Sequence, residues 1–127
     1  MENQAQLEAL HSENLGWLKN LVFYTEDIKS MQSRIEDIAS EYSSSEVMAN
    51  IEHFQNQLEI QKKEYNILKH SLKNNQRLLL DALTNYGGLS SQIISVNHSR
   101  VKEKVIIFEK IINDLQVELK QFLQVAI

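Results

Sequence analysis

The chain has 127 residues, a formal net charge of −4 and a hydrophobic fraction of 43%, which is typical of one globular domain over residues 1–127 and excludes a disordered chain. It contains no cysteine, so disulfides, thiolate metal ligands and thiol nucleophiles are excluded. The acidic excess argues against nucleic acid as a partner, because a phosphate-backbone binder needs a concentrated positive field.

Long helices are favoured because proline is absent and glycine occurs only three times. Along the first third of the chain, apolar residues recur in steps of three and four, the heptad spacing of a helix packed against other helices. This ladder predicts a first helix over about residues 4–42. Its members are Leu7, Leu10, Asn14, Trp17, Leu21, Tyr24, Ile28, Met31, Ile35, Ile38 and Tyr42.

Gly16 lies inside this first helix and should cost about 1 kcal/mol relative to alanine. We expect it to let Trp17 or a neighbouring backbone approach closely.

The second helix is predicted over about residues 46–86. Ser43 and Glu46 have the spacing of a capping box at its start, and Gly87-Gly88 favours its end because glycine tolerates the left-handed C-cap conformation. The apolar ladder between them keeps its phase. The third helix, capped by Ser90 or Ser91, is predicted over about residues 91–125.

Short connections make neighbouring helices antiparallel. The predicted fold is therefore all-α, an up-down-up, coiled-coil-like bundle of three long antiparallel helices, with oligomerisation as a further way of completing it. The expected register places Ile35, Phe54 and Phe122 in one layer, and Tyr24, Tyr65 and Ile111 in another. It also brings His11 and His98 to one level, with Asn14 and Asn75 near it.

Histidine is the only chemically versatile residue in the chain. No histidine has a second ligand three or four residues away, the spacing that helical metal sites use. A metal site would have to be interhelical, with His11, His98 and His70 as its ligands. The other interpretation of this cluster is a hydrogen-bonded structural layer that fixes helix register.

A second apolar stripe lies outside the main ladders. A rod of three helices needs only one covered face per helix, so extra apolar residues indicate a further helix, from a second copy or from a helical protein partner. The residues expected to form this contact are Phe23, Ile60, Ile67, Ile106 and Val117.

No catalytic pair, nucleotide motif or cofactor signature is present, so the sequence predicts no enzyme and no cofactor. No segment approaches the about 20 apolar residues of a membrane span, and the first residues lack the features of a signal peptide. We therefore expect a cytoplasmic, non-enzymatic interaction or structural module that acts through self-association or a helical protein partner. The alternative is a metal-binding bundle that uses the interhelical histidines.

Several short segments resemble an uncharacterised family of small helical proteins from Bacteroidetes-type bacteria. The resemblance implies no activity, and it supports the histidines as features of a pattern. The segments are Trp17 followed by Phe23-Tyr24, then Glu52-His53-Phe54-Gln55-Asn56-Gln57, Leu68-Lys69-His70, and His98 ahead of Phe108-Glu109-Lys110.

Overall fold

The computed structural model of the protein describes residues 4–84 and 91–126. They form three α-helices, α1 (Gln4–Glu41), α2 (Ser45–Leu83) and α3 (Ser91–Ala126), and these ranges contain no strand. Consecutive helices run antiparallel, and α1 packs more extensively on α2 than on α3. The all-α, three-helix prediction is confirmed. No helix in the described part of the chain is long and apolar enough to cross a membrane.

The helix ends differ slightly from the predicted ones. The N-cap of α2 is Ser44, not Ser43, and its hydroxyl accepts a hydrogen bond from the backbone N–H of Val47 at 3.3 Å. The α2 helix ends at Leu83, three residues earlier than predicted. There the Thr84 hydroxyl donates to the carbonyls of Leu80 and Asp81 at 3.0 and 3.2 Å, and the Thr84 backbone N–H also donates to the Leu80 carbonyl. The predicted signals at Gly87-Gly88 and Ser90 lie outside the described residues.

The core consists of ladder residues from all three helices, and it is divided in two. A small cluster of Leu7, Leu79 and Ile94 fills the end near the start of α1. A larger cluster fills the rest of the rod. Three buried polar residues separate the two clusters, one from each helix: Asn14, Asn75 and His98.

Aromatic contacts test the expected register. The rings of Phe54 and Phe122 lie 5.6 Å apart, which confirms this pair of the first layer. Tyr24 and Tyr65 also share a layer, since their rings lie 5.6 and 6.4 Å from that of Phe108. The α3 residue between them is therefore Phe108, which lies one helical turn before the expected Ile111. The cause is that α3 sits almost a turn further along α1 than loop lengths indicate.

The structure shows no close packing of another helix against Gly16. A Cβ atom placed there would find nothing within 4 Å beyond the two adjacent residues, so the expectation that a neighbouring backbone packs against Gly16 is wrong. The indole of Trp17 stacks on the ring of His98 instead, with centroids 4.9 Å apart.

Candidate functional sites: a buried polar layer and an apolar groove

The polar layer that divides the core is held by one continuous set of hydrogen bonds. The Asn14 amide donates to the Leu72 carbonyl at 3.0 Å. The Asn75 amide donates both to Asn14 Oδ1 at 2.9 Å and to His98 Nδ1 at 3.0 Å. Asn14 and Asn75 have 0% exposed surface, so each bond forms away from water. The two asparagines lie next to His98, as predicted. The contact set places His98 level with Asn14, about one helical turn beyond His11, so the expected pairing of His11 with His98 is not formed.

The direction of every bond in this layer follows from the Leu72 carbonyl. A carbonyl can only accept, so Asn14 must turn its NH₂ group towards it and its oxygen towards Asn75. Asn75 must then donate both of its amide hydrogens, one to Asn14 and one to His98. Because His98 Nδ1 accepts, the ring is neutral and carries its proton on Nε2.

The other ring nitrogen of His98 is also occupied. Its Nε2 donates to Glu13 Oε1 at 2.7 Å, and the second oxygen of Glu13 lies 3.7 Å from Lys102 Nζ. Asn97 completes the layer by donating to Asn75 Oδ1 at 2.9 Å. The layer thus runs from a buried centre to a solvent-facing ion pair between α1 and α3.

The three histidines predicted as metal ligands do not come together in the structure. Both ring nitrogens of His98 have protein partners, while His70 is exposed on α2. His11 is half-buried, and its Nε2 atom has no hydrogen-bond partner among the described residues. No group of three or more His, Cys, Asp or Glu residues in residues 4–84 and 91–126 could hold a metal ion.

Sequence reasoning missed two of the residues that complete this layer, Glu13 and Asn97. Glu13, Asn97 and Trp17 all contact it, but the ladder placed only Trp17 on the seam. One feature of the sequence could have indicated them: Glu13 directly precedes Asn14, and Asn97 directly precedes His98.

An apolar groove of about 410 Å³ runs between α2 and α3. Its walls include Ile60 and Ile67 from α2, and Ile107 and Ile111 from α3. Ile67 is 53% exposed and Ile107 is 58% exposed, which is unusual for β-branched apolar residues that line a concave surface. Sequence reasoning predicted the two α2 residues and missed Ile107, although it lies in the apolar run of residues 105–108.

All five predicted interaction residues are exposed. Phe23 has 66% of its surface accessible, and the other four are about half accessible. Of these five residues, Ile60 and Ile67 line the groove between α2 and α3. The remaining three lie elsewhere on the surface of α1 and α3: Phe23, Ile106 and Val117.

One perturbed group lies where α1 meets α3. Burial raises the pKa of the Tyr24 phenol above its usual range, and a hydrogen bond to the Glu109 carboxylate raises it further. The negative charges of Glu109 and Asp27 act in the same direction. Tyr24 is therefore a persistent hydrogen-bond donor that links α1 to α3.

No protein-family model matches the chain, and comparison with curated proteins and with solved structures likewise finds no match.

Proposed function

We propose that the protein is a cytoplasmic, non-enzymatic helical module that binds one further helix, from a second copy or from another protein, along the groove between α2 and α3. The observation that carries this proposal is the exposure of Ile60, Ile67 and Ile107 on a concave apolar surface. Apolar clusters of this kind mark sites of association, because leaving them in water is unfavourable.

The spacing of the groove residues fits a helix. Ile60 and Ile67 are separated by seven residues, or about 10.5 Å along the α2 axis. An amphipathic helix presents apolar side chains at i, i+3 or i+4, and i+7 over the same length. Glu64 and Lys104 stand at the two sides of the groove, so a bound helix would meet one charge of each sign.

The polar layer supports a structural role. A buried polar set inside an apolar seam fixes the alignment of helices, because any other register leaves its members without partners. All the polar atoms of Asn14 and Asn75 have partners in the observed register. A rigid, uniquely aligned rod is a suitable support for a binding groove. The lack of cysteine in the chain fits a reducing compartment.

Site-specific photo-crosslinking tests this proposal. A photoreactive amino acid placed at Ile67 should form a covalent adduct with a second protein chain in cells that express the protein, because this side chain lies in the groove. The matched control is Asn66, which is also exposed but lies on the next face of α2. An adduct at 67 and not at 66 supports the groove as a binding site. Absence of any adduct at 67 would sink the proposal.

A further inference from the structure

Gln61 differs from the other buried polar residues of the bundle. Asn14, Asn75 and His98 bond to protein partners. Gln61 is buried to a similar extent, with 4% of its surface exposed, but its Oε1 atom has no hydrogen-bond partner among the described residues. Leaving such an atom unpaired is unfavourable, and natural proteins keep local costs of this kind mainly at functional sites. The unpaired amide thus indicates a partner from outside the bundle.

The position of Gln61 shows where this partner would bind. Its side chain lines the groove between α2 and α3, together with Ile60 and Ile111. The amide is attached through three rotatable bonds, so it can turn towards the open side of the groove without displacing a helix. In packed helices, a polar residue within an apolar seam pairs with a polar residue of the facing helix. We therefore expect a helix in the groove to place its own amide on Gln61.

Lys104 marks the other end of the groove. Its Nζ atom reaches across from α3 to within 3.4 Å of Ser71 Oγ on α2, and Ser71 lies about 15 Å along the helix axis from Gln61. Because α2 and α3 run antiparallel, the levels between these two residues belong on α3 to Ile107 and Ile111, which both line the groove. A hydroxyl group is a neutral partner, so the positive charge of Lys104 attracts an acidic residue of the bound helix.

These four levels define the face of the bound helix. It carries asparagine or glutamine opposite Gln61, apolar residues opposite Ile111 and Ile107, and an acidic residue opposite Lys104. To within about one residue, the levels match positions i, i+4, i+7 and i+11 in either chain direction, and these positions share one face of a helix. Glu64 on the wall of the groove is exposed, so water solvates it and it requires no partner.

A second copy of this chain does not provide such a face. No segment of the sequence has an amide residue, two apolar residues and an acidic residue at this spacing, in either direction. The segments 64–75 and 92–103 come nearest, but each has serine at one of the two apolar positions. The bound helix therefore belongs to a different protein.

We infer that the groove binds an amphipathic helix of a different protein, which pairs an amide side chain with Gln61 and an acidic side chain with Lys104. This inference rests on the proposed function, since it states the chemistry of the partner in the same groove. The amide pair gives selectivity, because a helix with an apolar residue at that position leaves Gln61 unpaired. Gln61 thereby lowers the stability of the free protein and raises that of the complex.

A double-mutant cycle with a designed peptide tests the amide pair. The probe is a fluorescent, stapled, alanine-based helix with Gln, Leu, Leu and Glu at the four positions, and fluorescence anisotropy measures its binding to the purified full chain. Gln61→Leu in the protein, or Leu for Gln in the peptide, should each raise the dissociation constant at least about fivefold, because one amide loses its partner. The two changes together should restore the original value. Additive losses, or no binding of the original peptide, would overturn the inference.

Charge reversal tests the end of the groove at Lys104. Lys104→Glu should weaken peptide binding about two- to fivefold, and a peptide with Lys in place of its Glu should recover the loss. Lys73→Glu is the control for charge, because Lys73 is exposed and lies about two and a half helical turns from Glu64, on the opposite side of α2. Asn66→Leu, also exposed on α2, is the control for the amide change. Equal losses from Lys104→Glu and Lys73→Glu would contradict the assignment.

Crosslinking separates this inference from the proposed function. With the photoreactive residue at position 67, Gln61→Leu should lower the yield of the adduct in cells, although it stabilises the free protein. An unchanged yield would keep the groove as a binding site and overturn the amide pair. An adduct between two copies of the chain would overturn the choice of partner. Absence of any adduct in the wild-type background would refute the proposed function itself.

Discussion

Replacing Asn75 with leucine should destabilise the protein strongly, although leucine suits a helical seam. Asn75 donates to Asn14 Oδ1 and to His98 Nδ1, and it accepts from Asn97. The substitution removes all three bonds at once. Asn97 is only half-buried and can bond to water, but Asn14 and His98 would be left without partners.

The expected loss follows from these two orphaned acceptors. Asn14 has no exposed surface and His98 has 4%, so neither acceptor can reach water without local opening. Each unpartnered buried acceptor costs about 1–3 kcal/mol. Burial of the leucine side chain returns on the order of 1 kcal/mol. Two orphaned acceptors less the leucine term give a net loss of about 1–5 kcal/mol in the free energy of unfolding.

A second substitution should reverse part of this loss. Asn14→Leu removes the Oδ1 acceptor that Asn75→Leu leaves unpaired, so the double variant has one fewer orphaned group. It should be more stable than the sum of the single losses predicts, with a coupling of at least about 1 kcal/mol, because contacting groups are not additive. Leu72 keeps its backbone helix bond in every variant.

Urea unfolding followed by circular dichroism measures these free energies, at one protein concentration for all variants. Asn66→Leu is the control, since Asn66 is exposed on α2 and should change stability by less than about 0.5 kcal/mol. The reasoning is refuted if Asn75→Leu matches wild type, or if the effects of Asn14→Leu and Asn75→Leu add within about 0.5 kcal/mol.

Three other variants should respond in defined ways. Gly16→Ala should raise the unfolding free energy of the monomer by about 1 kcal/mol, because the new methyl group meets nothing; a loss in urea unfolding would contradict this. Gln61→Leu should stabilise by about 1 kcal/mol, since its buried Oε1 has no partner among the described residues; an unchanged thermal midpoint would count against it. Wild type should lose stability above about pH 10, where the unfolded chain releases the Tyr24 proton that the folded chain retains beside Glu109. Tyr24→Phe should flatten that alkaline slope in urea titrations, and an equal slope in both proteins would refute the assignment.

Several features followed from the sequence because they depend on local spacing. The heptad ladders and the absence of proline determine three long helices, and the ladder phase selects the buried residues. The exposed stripe of Ile60 and Ile67 could be predicted because the helical period alone places these residues outside the buried ladder of α2. The closeness of Asn14 and Asn75 to His98 was also predictable to within about one helical turn, since short connections limit how far antiparallel helices can slide.

The tertiary structure decided what depends on contacts between helices. The α3 register differs by a turn at Phe108, because its alignment depends on side-chain packing and not on loop length. Glu13 became a partner of His98 only when α1 and α3 met. The neutral form of His98 follows from a chain of bonds that begins at a main-chain carbonyl of α2. The groove itself exists only between two helices, and the sequence pattern of either helix alone describes one of its walls.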